Sequence, residues 1–255
     1  MFFDTHAHYD DRRFDEDRVE IITKAHENGV SYILNASSNM ASVVESINLS
    51  QEFDFVYSAV GIHPHYAADL NNSMIAALSD FAKNRKVVAI GEIGLDYYYD
   101  NSPKEVQKHW FAVQIGMARE LNLPVIVHDR DAHEDCLKII KKEDAAQVGG
   151  VFHCFSGSVE MALELIRNNF YISIGGSVTF KNARKILEVV KNVPMDKLLI
   201  ETDCPYLTPE PYRGKRNDSS YVKLVVEKIA DLRGIPVEEV AQATMKNAKE
   251  LFRIS

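Results

Sequence analysis

Residues 2–14, FFDTHAHYDDRRF, decide between the two folds that fit the rest of the sequence. Phe2 and Phe3 predict a short apolar strand that ends in polar residues. An open doubly wound α/β sheet would need a glycine-rich phosphate loop directly after its first strand. Residues 4–14 contain no glycine, so the stretch favours a closed barrel.

Apolar runs and amphipathic segments alternate along the whole chain, as strands and helices do in an α/β fold. The eight predicted strands are residues 2–3, 31–34, 56–60, 87–90, 125–127, 151–152, 171–174 and 198–200. Helices are predicted over residues 108–121, 219–233 and 236–253. Neither a Gly/Ser-rich linker nor a charge block divides the sequence, which predicts a single (β/α)8 TIM barrel, one domain over residues 1–255.

The composition is that of an ordinary globular protein, with 46% hydrophobic and 26% charged residues among 255. A membrane span needs a run of about 18 apolar residues, and the sequence has none. The three cysteines are widely spaced, which argues against a disulfide framework and for a reducing, cytoplasmic compartment. A net charge of −8 is unsuited to coating nucleic acid, so local charges or metal ions must attract any phosphate substrate. We expect a monomer without a membrane partner.

Polar side chains cluster at the ends of the predicted strands, where a TIM barrel carries its chemistry. His6 and His8 are two residues apart in a strand, so both face the same way about 7 Å apart and can reach one metal ion. Six of the nine histidines fall at or just past a strand end: His6, His8, His63, His65, His128 and His153. The carboxylates of Glu92 and Asp203 join them.

These groups predict a metal centre when they are taken together. Singly, Glu92 could pair with a basic residue, Asp203 could cap a turn, and His153 could be a core histidine. Converging on one mouth, they would repel or stay unpaired without two divalent cations, which Glu92 can bridge at about 3.5–4 Å. Imidazole and carboxylate ligands suit Zn²⁺, Mn²⁺ or Mg²⁺. Asp203 is the predicted general base, taking the proton from a metal-activated water whose pKa falls towards about 7.

Seven motifs in chain order resemble the TatD family of metal-dependent deoxyribonucleases. They are DTHAH (4–8), GIHPH (61–65), GEIGLDY (91–97), VH (127–128), HCFSG (153–157), ETD (201–203) and RGKRN (213–217). The resemblance implies an amidohydrolase-type barrel with two metals that hydrolyses phosphodiesters from the 3′ end of DNA. It places the metal ligands on His6, His8, Glu92, His128, His153 and Asp203. Asp218-Ser219 departs from the Glu-Pro that often follows the basic run, and Cys204 from the usual Ser or Ala.

Further residues near the strand ends are candidates for holding substrate. His63 can donate to a phosphate oxygen or orient a neighbouring ligand. Arg213, Lys215 and Arg216 follow the last strand, where barrels often bind phosphate, although a solvated basic loop is the alternative. Aromatic residues there can stack on bases or pack under loops: Tyr97, Tyr98, Tyr99, Phe155, Tyr206 and Tyr212.

The most specific hypothesis is a metal-dependent 3′–5′ exonuclease that prefers single-stranded DNA ends, with RNA as an open second substrate. The alternative is an amide or ester hydrolase of the amidohydrolase type. Many such enzymes bridge their metals with a carboxylated lysine, and Glu92 stands at that place here. A non-catalytic binding module is a third hypothesis, and the general-base candidate Asp203 argues against it.

Overall fold

The computed structural model describes residues 1–254 and contains eight parallel strands. They are β1 (Phe2–Ala7), β2 (Val30–Ala36), β3 (Val56–Val60), β4 (Val87–Asp96), β5 (Val125–Arg130), β6 (Gly150–Phe152), β7 (Phe170–Ile174) and β8 (Leu198–Ile200). Each strand pairs with the next in chain order. Just after β8, Cys204 forms a parallel bridge with Ala7, which nearly closes the sheet. The predicted (β/α)8 TIM barrel is confirmed.

Helices lie between the strands and after the last one. They are α1 (Arg18–Glu27), α2 (Met40–Glu52), α3 (Asn72–Phe81), α4 (Lys104–Leu121), α5 (His133–Lys142), α6 (Val159–Arg167), α7 (Lys185–Asn192), α8 (Val222–Arg233) and α9 (Val237–Phe252). Within residues 1–254, no helix is both long enough and apolar enough to cross a membrane.

Several boundaries differ from the sequence prediction. The helix predicted from residue 108 begins at Lys104, directly after Pro103. The helix predicted from residue 219 begins at Val222, because a short 3-10 helix occupies Ser219–Tyr221. The strand predicted to end at residue 90 continues to Asp96, since it keeps pairing with β5 as far as Arg130.

Two apolar layers hold the barrel together. Strand residues such as Phe3 and Leu199 pack in one cluster with the last turn of α9. The rings of Phe3 and Phe252 lie 6.0 Å apart, so α9 covers the end of the barrel where the strands begin. The second, larger cluster joins the other strand faces to the surrounding helices. Each fully buried Phe or Leu contributes about 1.5–3 kcal/mol, which gives a rigid support for side chains at the opposite end.

The buried carboxylate of Asp4 joins β1 to the chain that follows β8. It accepts hydrogen bonds from the amide and hydroxyl of Thr202, at 2.9 and 2.6 Å, and from the hydroxyl of Ser219 at 2.6 Å. Burial raises the pKa of Asp4 to about 7. Nearby, the amide of Asp203 donates to the carbonyl of His6 at 2.9 Å. These bonds bring the first and the last of the six predicted metal ligands, His6 and Asp203, together.

Candidate active site

Imidazoles from β1 and carboxylates from two other segments meet at the C-terminal mouth of the barrel. Nε2 of His6 and Nε2 of His8 lie 3.0 Å apart. Both face Oε2 of Glu92, at 3.4 and 3.5 Å. Oδ1 of Asp203 lies 3.4 Å from Nε2 of His8. The His-x-His pair therefore converges on one point, as the alternation of a strand predicts.

The other oxygen of Glu92 faces a second group of imidazoles. Oε1 lies 2.7 Å from Nδ1 of His128 and 2.7 Å from Nε2 of His153. Nε2 of His63 is more distant, at 3.6 Å. The structure thus brings all six predicted ligands together, and Glu92 lies between two groups of nitrogen atoms. Four sets of three have ligand atoms within 4.8 Å of one another: His6, His8 and Asp203; His6, His153 and Glu201; His63, His65 and Asp96; and His63, Glu92 and His128.

Both carboxylates are ionised in this setting. Burial alone would raise the pKa of Glu92, but the surrounding imidazoles, His153 foremost, hold it well below its usual value. The pKa of Asp203 is also lowered against the effect of burial, chiefly through its contact with His8. Asp203 has a left-handed φ of 57°, an uncommon conformation for a residue other than glycine. Such backbone conformations are concentrated at functional sites.

The donor atoms fit divalent cations. A neutral imidazole has one N–H and one lone pair. Nδ1 of His8 lies 2.9 Å from the carbonyl oxygen of Ala36, so Nδ1 carries the proton and Nε2 the lone pair. Nε2 of His128 faces the Asp96 carboxylate at 3.0 Å, so its Nδ1 lone pair points at Glu92. Against the effect of burial, the neighbouring carboxylates raise the pKa of His8, His128 and His153 and so favour protons on these rings. A divalent cation with imidazole and carboxylate ligands can take the place of those protons.

Two acidic residues outside the predicted ligand set support the imidazoles. Asp96 is fully buried and contacts Nε2 of His128 and, at 2.9 Å, Nε2 of His65. Glu201 accepts from the amide of Cys154 at 2.6 Å, and its Oε1 lies 3.6 Å from Nδ1 of His153. Asp96 ends β4 and Glu201 directly follows β8. An acidic residue at the end of an apolar strand was the sequence feature that could have indicated a place in the site. The partners of Asp96 and Glu201 depend on strand register.

The ring of His63 lies beside the cluster, with its Nε2 3.6 Å from Oε1 of Glu92. Its Nδ1 accepts from the amide of His65 at 3.1 Å, so the proton is on Nε2. Burial lowers the pKa of His63 well below its usual value, which keeps the ring neutral. The Nε2–H is therefore available to a phosphate oxygen. This role stays a prediction, and a place in a metal's ligand shell is the alternative.

The basic run after β8 divides into two parts. Arg216 forms an ion pair with Asp17, with an Nη1–Oδ1 distance of 2.9 Å, and it also donates to the carbonyl of Arg13. Arg213 lies over the ring of Phe180 at 4.2 Å. Within the described chain, neither Arg213 nor Lys215 has a carboxylate partner. These two cations are free to contact a substrate, whereas Arg216 anchors the loop.

The predicted aromatic residues also differ in accessibility. Tyr98 and Tyr99 are exposed, at 59% and 55%. Tyr206 is exposed beside the ring of His8, with centroids 6.3 Å apart. Phe155 is buried, so its ring packs under a loop and is not open to a base.

Comparison with known proteins places this site in a family. The model of the family described as "TatD related DNase" matches residues 3–253. A Bacillus subtilis protein called "Uncharacterized metal-dependent hydrolase YabD" is 50% identical over the full length of both chains. The "3'-5' ssDNA/RNA exonuclease TatD" of Erwinia tasmaniensis is 33% identical, over 99% of this chain and 100% of the relative.

A solved structure supports the same grouping. The crystal structure of the TatD homologue YjjV from Escherichia coli K12 has a TM-score of 0.94 and 31% sequence identity. The match covers 100% of this chain and 98% of that one.

Proposed function

The chain belongs to the family of TatD-related DNases and is a metal-dependent hydrolase, and we propose that it removes nucleotides from the 3′ end of single-stranded DNA. The exonuclease relative from Erwinia tasmaniensis, named for single-stranded DNA and RNA, supports this assignment. We propose one catalytic domain over residues 1–255, with RNA as a second substrate.

The position of Glu92 carries the proposal. One of its oxygens faces His6 and His8, and the other faces His128 and His153. A carboxylate between two sets of imidazoles suits a bridging role, with Asp203 completing the first set. We therefore propose two divalent cations, Mg²⁺, Mn²⁺ or Zn²⁺. When bound, they would supply charge stabilisation for a phosphoryl oxygen and lower the pKa of water.

The residues around this centre have distinct proposed roles. Asp203 accepts the proton of the attacking water, since its lowered pKa leaves the carboxylate ionised at neutral pH. His63 donates its Nε2–H to a non-bridging phosphate oxygen. Arg213 and Lys215 contact phosphates at the rim, and Arg216 holds their loop against Asp17.

The recessed position of the cluster supports action at a strand end. Glu92, His8 and His153 are buried, with exposed fractions of 3%, 8% and 6%, so a phosphate must enter the barrel mouth to reach them. Duplex DNA is stiff over about 50 nm, and internal cleavage would require unpairing or sharp bending. A frayed or single-stranded end enters without that cost, and the exposed ring of Tyr206 can stack on its terminal base.

The test is a substrate panel with protein stripped of metal by a chelator and reloaded with Mg²⁺, Mn²⁺ or Zn²⁺ in turn. The substrates are single-stranded DNA, duplex DNA, RNA and a chromogenic carboxylic ester. We expect metal-dependent hydrolysis that is fastest on single-stranded DNA. Rapid ester hydrolysis without nuclease activity would replace the proposal with the amide or ester hydrolase. Full nuclease activity in metal-free protein would contradict the role of the cluster.

A further inference from the structure

A cavity opens beside the cluster of six predicted metal ligands at the barrel mouth. It begins at His128, His153 and Asp203 and extends between the loops that follow β5, β6 and β7. Its volume is about 610 Å³, within the range of about 300–1,000 Å³ that holds a drug-sized molecule. It is therefore large enough to hold more of the substrate than the phosphate at the cluster.

Three exposed cations line this cavity. They are Arg130 at the end of β5, and Arg184 and Lys185 at the start of α7. In the part of the chain that the structure describes, none has a carboxylate within 4.0 Å. Three acidic residues also line the cavity: Asp129, Asp131 and Asp203. Asp129 is engaged by His133 at 2.8 Å, and Asp203 belongs to the cluster at the inner end of the cavity. Along the path outside the cluster, the three cations therefore face Asp131 as the one carboxylate without a partner among the described residues.

The opposite side of the mouth has a different charge pattern. The guanidinium of Arg13 is held by Asp11 at 2.8 Å, and that of Arg216 is held by Asp17. In the same segment the exposed charges of Arg12 and Glu16 offset each other. A phosphodiester chain leaving the cluster on this side would therefore meet mostly neutralised charges. The unpaired cations make the side between the β5 and β7 loops the favourable path.

Aromatic rings line the same path. Phe180 forms part of the cavity wall, and the guanidinium of Arg213 lies over its ring at 4.2 Å. The guanidinium of Arg130 lies 4.3 Å from the ring centre of Tyr98, which also lines the cavity. Arginine planes and aromatic rings stack on bases without sequence preference. The cavity therefore combines cations that can contact the phosphates of a single strand with rings that can stack on its bases.

We propose that the strand on the 5′ side of the scissile phosphate runs through this cavity, with Arg130, Arg184 and Lys185 contacting its phosphates and Tyr98 or Phe180 contacting a base. The inference rests on the proposed function, because removal of the 3′ nucleotide leaves the remaining strand on the 5′ side. It predicts that a long substrate gains affinity from contacts that a dinucleotide cannot reach.

The test compares a double variant, Arg184→Ala with Lys185→Ala, with wild type on two substrates. One is a single-stranded oligonucleotide of about 12 nucleotides, within known single-strand site sizes, and the other is a dinucleotide. A charge-assisted hydrogen bond is worth about 1.5–3 kcal/mol. In the double variant, kcat/KM for the long substrate should therefore fall at least about tenfold more than kcat/KM for the dinucleotide. The decrease should come mainly from a higher KM. The matched control is Lys142→Ala with Lys246→Ala, which removes the same charge from helices outside the cavity.

A second arm measures binding without turnover. The oligonucleotide of about 12 nucleotides carries a fluorescent label, and its binding affinity is measured by fluorescence anisotropy at several salt concentrations. A chelator is present to prevent hydrolysis. The log–log salt slope should drop by about one for each phosphate that the double variant no longer neutralises. Equal slopes for wild type and double variant, or equal decreases of kcat/KM on both substrates, would overturn the inference. If wild type hydrolyses neither substrate, the proposed function fails by itself, and the anisotropy arm still decides whether the cavity binds a strand.

Discussion

Oδ2 of Asp96 lies 3.0 Å from Nε2 of His128, across the paired strands β4 and β5. Burial would raise the pKa of Asp96, but hydrogen bonds from His128 and His65 lower it, so the carboxylate is ionised. It therefore accepts the Nε2–H of His128, so in the neutral ring that binds a metal the lone pair is on Nδ1, which lies 2.7 Å from Glu92. Carboxylates that hold a metal-binding imidazole in this way fix its tautomer and raise its basicity.

The first prediction concerns this carboxylate. Asp96→Asn should lower the affinity for divalent metal by about 10–100-fold, because His128 loses its charged acceptor. The asparagine carbonyl can still accept from the amides of Tyr98 and Tyr99, as Oδ1 of Asp96 does. Competition with a fluorescent chelator measures the affinity. Asp135→Asn, which changes an acid bonded to Tyr97 outside the cluster, is the control. Wild-type affinity in a folded Asp96→Asn protein would refute the role of Asp96.

The second prediction separates the general base from the bridge. Asp203→Asn should lower kcat by about 10²–10⁴ because the proton acceptor is lost. Glu92→Gln should also lower metal content, since Glu92 faces both imidazole groups and a neutral amide holds cations poorly. Steady-state kinetics and elemental analysis give the two readouts. Wild-type turnover in either folded variant would show that the residue has another role.

The third prediction divides the basic run. Arg213→Ala and Lys215→Ala should raise KM for single-stranded DNA and reduce the salt slope by about one for each phosphate no longer neutralised, with unchanged metal content. Arg216→Ala should instead lower the free energy of unfolding by about 1 kcal/mol, because its ion pair with Asp17 is largely a surface one. Urea unfolding and binding titrations distinguish the two effects. Identical salt slopes for all three variants and wild type would show that the basic run is a solvated loop that does not contact the substrate.

The fourth prediction is a pH dependence of stability. The hydrogen bonds from Arg13 hold the pKa of Asp11 at about 2, below its value of 3.8 in an unfolded chain. A lowered folded-state pKa stabilises the fold fully above pH 3.8, and the contribution is lost as the pH falls towards 2. Asp11→Asn should therefore cost stability at pH 6 and little at pH 2, while its amide still caps the adjacent 3-10 helix.

Chemical denaturation of both proteins across this range measures the difference. In an Arg13→Ala background the pH-dependent difference between Asp11 and its asparagine variant should shrink, and the remainder reflects the hydrogen bonds from the amide of residue 13 and the hydroxyl of Tyr206. A difference that stays constant from pH 6 to pH 2 would show that the ion pair with Arg13 does not stabilise the fold.

The barrel and the convergence of six ligand-type residues could be predicted from the sequence, because both follow from alternation of strands and helices and from side-chain direction. The hydrogen-bond and ion-pair partners of the site residues could not be predicted. Glu92 lies within β4 and not beyond it, and Asp96 meets His128 only through the register of β4 with β5. Arg216 pairs with Asp17, 199 residues earlier. Such pairings depend on how loops fold across the mouth, which local patterns do not encode.

The cations of the cavity could not be predicted from the sequence either. Arg184 and Lys185 lie between the last two predicted strands, and nothing in their spacing relates them to His153. Only the placement of the loop between β7 and α7 brings them to one wall of the mouth. The basic run after β8 was the more visible signal, yet one of its three cations is already neutralised by Asp17.

The most direct test of the central claim uses a 5′-labelled single-stranded oligonucleotide with a free or a chemically blocked 3′ terminus, together with a circular single strand. With divalent metal, the free end should give a ladder that shortens one nucleotide at a time, and the blocked and circular substrates should persist. Chelation should stop the ladder, and Asp203→Asn should slow it by about 10²–10⁴. Equally rapid cutting of the circular strand, or an undiminished ladder in metal-free protein, would contradict a metal-dependent enzyme that acts at the 3′ end.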